Sequence, residues 1–164
     1  MSMERFEACL AVTLGFEGGF TDDENDHGGA TNLGIEYREW NAWKDSQGLP
    51  ESSLHDFAND LTAADVEPIY LKNYWMPVND GTLPGPVDMV AFDAAVLEGV
   101  PKALEYLNDT AGAPDAPTRA AQMQALRTAH FRAIVADDPT QNVFLVGWLN
   151  RVNELSAMIR AGQI

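Results

Sequence analysis

The sequence has little cysteine, little lysine and no long apolar run. Cys9 is the single cysteine among 164 residues, which excludes an internal disulfide and a zinc site built on cysteine pairs. Its helical spacing from Phe6 and Thr13 predicts a buried thiol. No apolar stretch approaches the roughly 20 residues of a membrane span, and no basic segment leads into an apolar run at the N-terminus. We therefore expect synthesis in the cytoplasm without a Sec-type signal.

Positive charge is scarce in this chain. Ten lysines and arginines face 25 aspartates and glutamates, a net charge of −15. Such a field repels nucleic acid and anionic membrane surfaces, so we predict neither as a partner. The three histidines, His27, His55 and His130, lie far apart in the sequence without ligand spacing. We therefore predict no metal and no other cofactor.

Apolar residues make up 46% of the chain, enough for a folded core, and their spacing predicts a mainly α fold. They recur every three to four positions over residues 3–16, which indicates an amphipathic helix ending at Gly18 and Gly19. The acidic, glycine-rich segment that follows predicts a shaped loop with a short hairpin at about 30–36.

The remainder of the sequence predicts further helices with recognisable ends. Thr62 and Asp65 resemble an N-terminal cap for a helix that runs to Tyr74, with Pro68 near its first turns or kinking it. The glycines and prolines of 81–86 predict a linker. The later helices are predicted at 87–97, at 101–107 after a break at Gly99, at 118–135 with Thr118 as its cap, and at 139–160 with Asp138 as its cap and Pro139 at its first position.

Glu17 is the strongest candidate for chemistry. It follows Leu14 and Phe16 at the end of the first predicted helix and precedes two glycines. Apolar surroundings and the negative end of a helix both disfavour a charged carboxyl. A glutamate kept protonated in this way can donate a proton to a leaving glycosidic oxygen. The glycines would let a bulky polymer approach the backbone closely.

A second carboxylate, Asp26, lies nine positions after Glu17, and Thr31 and Asn32 follow after another pair of glycines. In an inverting glycosidase such a group activates water, and in a retaining one it attacks the sugar. The spacing is compatible with both. A solvated acidic loop without chemistry also stays open, whereas a calcium loop fails because Gly34 stands where a bidentate glutamate is required.

Two runs of this segment resemble the signature of glycoside hydrolase family 108. They are Glu17-Gly18-Gly19-Phe20 and Asp26-His27-Gly28-Gly29-Ala30-Thr31-Asn32-Leu33-Gly34-Ile35. Proteins of that family are N-acetylmuramidases with a lysozyme-like fold, and many of them are phage endolysins. Weaker similarity continues in Tyr74-Trp75, in Phe92-Asp93-Ala94-Ala95-Val96, and in the segment from Phe144 to Val152.

The resemblance implies a lysozyme-like α+β fold with a small hairpin beside the catalytic helix and a helical C-terminal half. Residues 1–86 would form the catalytic part, and residues 87–164 would form a part similar to a companion peptidoglycan domain, packed on it as one compact unit. It implies that Glu17 is the catalytic acid, with Asp26 and Thr31 across the cleft as in the phage-type lysozymes. Substrate contacts would come from Gly29, Asn32, Tyr74 and Trp75.

The implied activity is bacteriolytic cleavage of the β-1,4 bond between N-acetylmuramic acid and N-acetylglucosamine in bacterial peptidoglycan. Without a signal, such an endolysin would need release into the periplasm, for which a holin-type system is one candidate. We expect a monomer. Two rival hypotheses remain, a lytic transglycosylase and an inactive wall-binding or virion-associated module.

The sequence departs from the family pattern at two places. Leu97-Glu98 stands where the companion domain usually has an asparagine, and Glu36 replaces the usual threonine after Ile35. The first concerns the polar contacts of the C-terminal half, in which we also expect Arg151 to pair with an acid inside the fold. The second concerns the floor of the cleft.

Overall fold

A computed structural model describes residues 2–20 and 30–164. The chain divides into two compact units, which we call the N-terminal unit, Phe6–Asn73, and the C-terminal unit, Tyr74–Ile164 together with Met1–Arg5. This division by packing falls before the predicted boundary at residue 86. Val78 and Pro86 are buried within the C-terminal unit, so the glycines and prolines of 81–86 mark a turn there and not its edge.

The chain begins with helix α1, Met3–Phe16, as its apolar spacing predicts. Phe6, Cys9, Leu10 and Thr13 form its buried face, which confirms the prediction of a buried thiol. The three-to-four spacing of these residues places them on one side of the helix, and their burial stabilises the helix more than its intrinsic propensity does.

The predicted hairpin is confirmed. Strand β1, Thr31–Asn32, pairs antiparallel with β2, Ile35–Glu36, so that Thr31 lies opposite Glu36 and Asn32 opposite Ile35. Leu33 and Gly34 form the two-residue turn with φ of 49° and 73°. Positive φ at both central residues is the type I′ pattern, whose twist matches that of the strands. Leu33 adopts this region at some steric cost because it has a Cβ atom.

After the hairpin, the N-terminal unit contains three helices: α2, Tyr37–Ser46, α3, Leu54–Asn59, and α4, Ala63–Tyr70. The predicted cap of α4 is confirmed: Thr62 and Asp65 form a capping box, in which the Thr62 amide donates to the Asp65 carboxylate at 2.8 Å. Pro68 lies inside α4, and the helix widens into a π-helical turn at Leu71–Trp75.

The C-terminal unit contains the short helix α5, Met76–Val78, and the longer helices α6, Val87–Glu98, α7, Val100–Asp109, α8, Ala116–Asp137, and α9, Asn142–Arg160. Helix α6 is buried along most of its length and packs against α7 and α8, while α8 packs against α9. Gly99, at φ 90°, separates α6 from α7 as predicted.

Of the two predicted caps before the last helices, that of Thr118 is wrong and that of Asp138 is confirmed. Thr118 does not cap α8, because the Asp115 side chain accepts from the Thr118 amide at 2.7 Å and the helix already begins at Ala116. Asp138 caps a 3₁₀ turn, Pro139–Gln141, that leads into α9. In both cases an aspartate precedes a proline by one or two residues, and its carboxylate satisfies an amide that the first turn leaves without a partner.

A network of buried charges lies at the centre of the C-terminal unit. Arg127 contacts Asp93 at 2.8 Å and Glu98 at 2.6 Å, and Arg151 contacts Asp93 at 2.9 Å. The Tyr106 hydroxyl also donates to Glu98 at 2.6 Å. The expected pairing of Arg151 with an interior acid is thus confirmed. The network also gives the departure at Glu98 a structural role, since this carboxylate binds Arg127.

We predict that Asp93→Asn destabilises the protein most near neutral pH. Burial alone would raise the pKa of Asp93, but Arg127 and Arg151 outweigh it and hold that pKa below its usual range. A carboxyl with a depressed folded pKa contributes stability above its unfolded value, about 3.9, and this stability is lost as pH falls through the folded pKa. Breaking a buried pair costs about 3–5 kcal/mol.

Urea unfolding at pH 7 and pH 3 checks this expectation. The difference in unfolding free energy between wild type and Asp93→Asn should shrink at the lower pH. Asp137→Asn, which removes an exposed carboxylate from the same unit, is the matched control and should stay within about 0.5 kcal/mol of wild type. An equal loss in both variants would contradict the prediction.

Candidate active site

Glu17 lies at the C-terminal end of α1. Its amide donates to the Thr13 carbonyl at 3.2 Å, so Glu17 continues the last turn of the helix, and its side chain is half-buried. The buried Thr13 anchors that turn in the N-terminal unit. The half-buried Glu17 therefore lies at the boundary between the core and the surface, next to the exposed Gly18 and Gly19.

The turn of the hairpin lies directly against this carboxyl group. A Cβ atom built on Gly34 would be 2.9 Å from Cγ and 3.0 Å from Oε2 of Glu17, and it would also overlap the Tyr70 hydroxyl. A side chain at this position would require Tyr70 and Glu17 to shift, and the positive φ of Gly34 independently favours glycine. The close approach of Glu17 to the hairpin therefore depends on residue 34 having no side chain.

The two faces of the hairpin differ in burial. Directly opposed residues of antiparallel strands point to the same face, so Thr31 and Glu36 share one face and Asn32 and Ile35 the other. Asn32 and Ile35 are buried, whereas Thr31 is half-buried and Glu36 is exposed. The accessible face of the hairpin therefore presents a hydroxyl and a carboxylate.

The buried face of the hairpin is held by Asn32. Its side-chain amide donates to the Phe57 carbonyl at 2.7 Å and the Ala58 carbonyl at 3.3 Å, which ties β1 to α3. This geometry gives Asn32 a structural function that the sequence did not indicate. Its predicted contact with substrate stays a prediction, and so does the role of Thr31.

The other four predicted site residues are not found beside the hairpin in the described part of the N-terminal unit. Asp26 and Gly29 lie outside the described residues. Tyr74 and Trp75 belong to the C-terminal unit, where Tyr74 is half-buried. Trp75 is 1% exposed and packs edge-on against Phe92, with ring centroids 5.4 Å apart. A ring buried in this way has no face for a sugar, so we assign Trp75 a packing role in this structure.

The surroundings of the hairpin are acidic. Glu39, in the first turn of α2, is half-buried and accepts from the Asn73 amide at 3.2 Å. Burial raises the pKa of Glu39, the hydrogen bond from Asn73 opposes that shift, and the negative charge of Glu36 adds to it. The negative charge of Glu36 therefore disfavours a negative charge on Glu39, and Glu36 itself lies opposite Thr31 in the hairpin. Within residues 2–20 and 30–164, no cluster of histidines, cysteines and carboxylates could hold a metal ion.

A half-buried carboxyl held against a hairpin, whose accessible face presents a hydroxyl and a carboxylate, is suited to acid-catalysed cleavage of a glycoside. A comparison with protein families decides the class, since the model described as "Glycosyl hydrolase 108" matches residues 10–99. The chain belongs to glycosyl hydrolase family 108. The matched region contains Glu17, the hairpin and Tyr70, and membership makes the chain a glycoside hydrolase and supports peptidoglycan as its substrate.

A solved structure supports the fold. The chain is similar to the protein in the "Structure of Brucella abortus SagA", with a TM-score of 0.75 and 24% identity over 98% of this chain and 96% of that chain. At this identity the likeness establishes the mainly α, lysozyme-like architecture alone. No curated protein matches this chain. Among the described residues, no helix is long and apolar enough to cross a membrane.

Two residues of the site were not predicted to act there, Gly34 and Tyr70. For Gly34 a signal exists, because a two-residue turn between short strand-like segments requires positive φ, which favours glycine. Tyr70 carries no such signal, since a buried tyrosine in a helix has the same spacing as any core residue. Only the packing of α4 shows that its hydroxyl reaches the turn.

We predict that Gly34→Ala reduces glycosidase activity at least about 10-fold, because the new Cβ would displace the Glu17 carboxyl and the Tyr70 hydroxyl. Gly48→Ala is the matched control. Gly48 has a similar φ of 69°, but nothing lies within 4 Å of its Cβ position. Both variants carry the backbone strain of about 1–2 kcal/mol, and only Gly34→Ala should lose turnover. Clearing of bacterial walls measures activity, and loss of activity in both variants would refute the assignment.

Proposed function

We propose that this chain is an N-acetylmuramidase of the lysozyme type, which hydrolyses the β-1,4 bond between N-acetylmuramic acid and N-acetylglucosamine. The observation that carries the proposal is the half-buried Glu17 carboxyl held against the hairpin that bears Thr31. Cleavage of a glycoside needs an acid to protonate the departing oxygen while the sugar gains positive charge. Glu17 lies in the region that the family model matches, which supports it for that role.

In the proposed reaction, Glu17 donates its proton to the glycosidic oxygen as the bond from that oxygen to the anomeric carbon breaks. The electron pair of the bond leaves with the oxygen. Asp26 stabilises the positively charged sugar or helps to place the attacking water, and Thr31 is its polar support. Water then supplies the hydroxyl of the new reducing end and gives its other proton to a carboxylate of the site, which balances the proton that Glu17 donated. Gly29, Asn32 and Tyr74 remain proposed substrate contacts.

We propose a bacteriolytic endolysin that acts from within the host of a phage, after release into the periplasm by a holin-type system. The protein would act as a monomer on the bacterial cell wall. Helices α6–α9 would form its companion peptidoglycan domain, and residues 100–164 lie beyond the family match.

Replacing Glu17 by Gln should abolish clearing of outer-membrane-stripped cells. Loss of a general acid lowers the rate by about 10²–10⁴-fold, while the melting temperature should stay near wild type or rise, since removing a catalytic charge rarely costs stability. Glu7→Gln is the control, because Glu7 is an exposed glutamate of the same helix. Full activity in Glu17→Gln would reject Glu17 as the acid.

The products of digestion separate hydrolysis from the transglycosylase alternative. A hydrolase releases fragments with ordinary reducing ends, because water adds across the broken bond. A transglycosylase leaves 1,6-anhydro ends, which are lighter by one water. We expect mass spectrometry of digested peptidoglycan to show reducing ends. Anhydro ends would replace the hydrolase assignment, and no products at all would favour an inactive wall-binding or virion-associated module.

A further inference from the structure

Tyr70 is fully buried at the end of α4, yet its hydroxyl reaches the hairpin turn. It donates to the Leu33 carbonyl at 2.9 Å. Leu33 is the residue of the turn whose positive φ is costly for a side chain. The hydrogen bond from Tyr70 therefore stabilises the turn at its most strained residue.

The same hydroxyl lies close to the carboxyl group of Glu17. The Cβ position built on Gly34 lies within 3.0 Å of both the Tyr70 hydroxyl oxygen and Oε2 of Glu17. Because both atoms lie so close to one point, the Tyr70 hydroxyl oxygen and Oε2 of Glu17 are separated by no more than twice 3.0 Å. Tyr70, Gly34 and Glu17 meet around one point of the N-terminal unit, and each comes from a different element of it.

The chemistry of a phenol determines what Tyr70 can offer there. A hydroxyl has one proton, and Tyr70 donates its proton to the Leu33 carbonyl. Towards any other neighbour the phenol oxygen can only accept a hydrogen bond. A protonated carboxyl is a donor, whereas a carboxylate only accepts, so the phenol oxygen complements the form of Glu17 that delivers a proton.

We propose that Tyr70 is a positioning residue for Glu17, which holds the turn at Leu33 in place and orients the protonated carboxyl beside it. The inference rests on the proposed function of Glu17. Tyr70 does not touch the substrate in this scheme, so it should affect turnover more than binding. Because a displacement of about 1 Å at a reacting group can cost about 100-fold in rate, the effect of removing its hydroxyl should be large.

The test compares two tyrosines of the same unit. Tyr37 also donates to a backbone carbonyl, that of Ser52 at 2.6 Å. Tyr70→Phe and Tyr37→Phe each remove one phenol hydroxyl that donates to a main-chain carbonyl. With soluble peptidoglycan strands as substrate, we expect Tyr70→Phe to lower kcat about 10- to 100-fold with KM within about 2-fold of wild type. Tyr37→Phe should keep both constants within about 2-fold, with a similar fall in melting temperature.

A second replacement keeps the fold in case Tyr70→Phe is unstable. Replacement of Tyr70 by 3-fluorotyrosine retains the ring and the hydroxyl but weakens its oxygen as an acceptor, and it should give an intermediate kcat. Unchanged kcat in both Tyr70 proteins, or an equal loss in Tyr37→Phe, would overturn the inference. If Glu17→Gln is inactive while both Tyr70 proteins keep full turnover, only the role of Tyr70 fails. If Glu17→Gln is fully active, the proposed function of Glu17 is rejected, and the positioning role of Tyr70 is rejected with it.

Discussion

The close approach of the hairpin turn to the end of α1 is the constraint on which the candidate site depends. Leu33 and Gly34 both have positive φ, and the space over Gly34 is filled by Glu17 and Tyr70. The type I′ turn therefore serves two purposes. Its twist matches that of the strands, and its glycine leaves room for the carboxyl group of Glu17. A wider turn or a larger residue at position 34 would separate the end of α1, where Glu17 lies, from the hairpin that carries Thr31.

The hairpin can serve the site because its two faces have different functions. One face is anchored: Ile35 is fully buried, and Asn32 donates to carbonyls at the end of α3. The other face leaves Thr31 and Glu36 accessible. With only two residues in each strand, the ladder alone is a weak constraint. The buried face therefore fixes the position of the accessible one, and Tyr70 adds a constraint at the turn.

The C-terminal unit depends on a different interaction, the burial of arginines with carboxylates. The chain has few cations, and among them Arg127 and Arg151 both contact Asp93 in the interior, while Arg5 contacts Asp88 at 2.7 Å. Arginine suits this role because its planar group can bind several oxygens at once and stays charged when buried. Glu98 enters the same network through Arg127. The departure at this position therefore changes an internal contact of the helices and not an accessible surface.

Local sequence signals determined much of this protein. Apolar spacing located α1 and α6, glycines located the hairpin and the break at residue 99, and the Glu17 segment indicated the family to which the chain belongs. The tertiary structure alone decided which face of the hairpin is buried, and it placed Asn32 and Trp75 inside. It also decided that packing separates the chain near residue 73 and that Tyr70 meets Gly34 and Glu17. Helix periods and turn residues act over a few positions, so they can be read along the chain. The meeting of Glu17, Gly34 and Tyr70 depends on how distant elements pack, and no spacing within a single element records it.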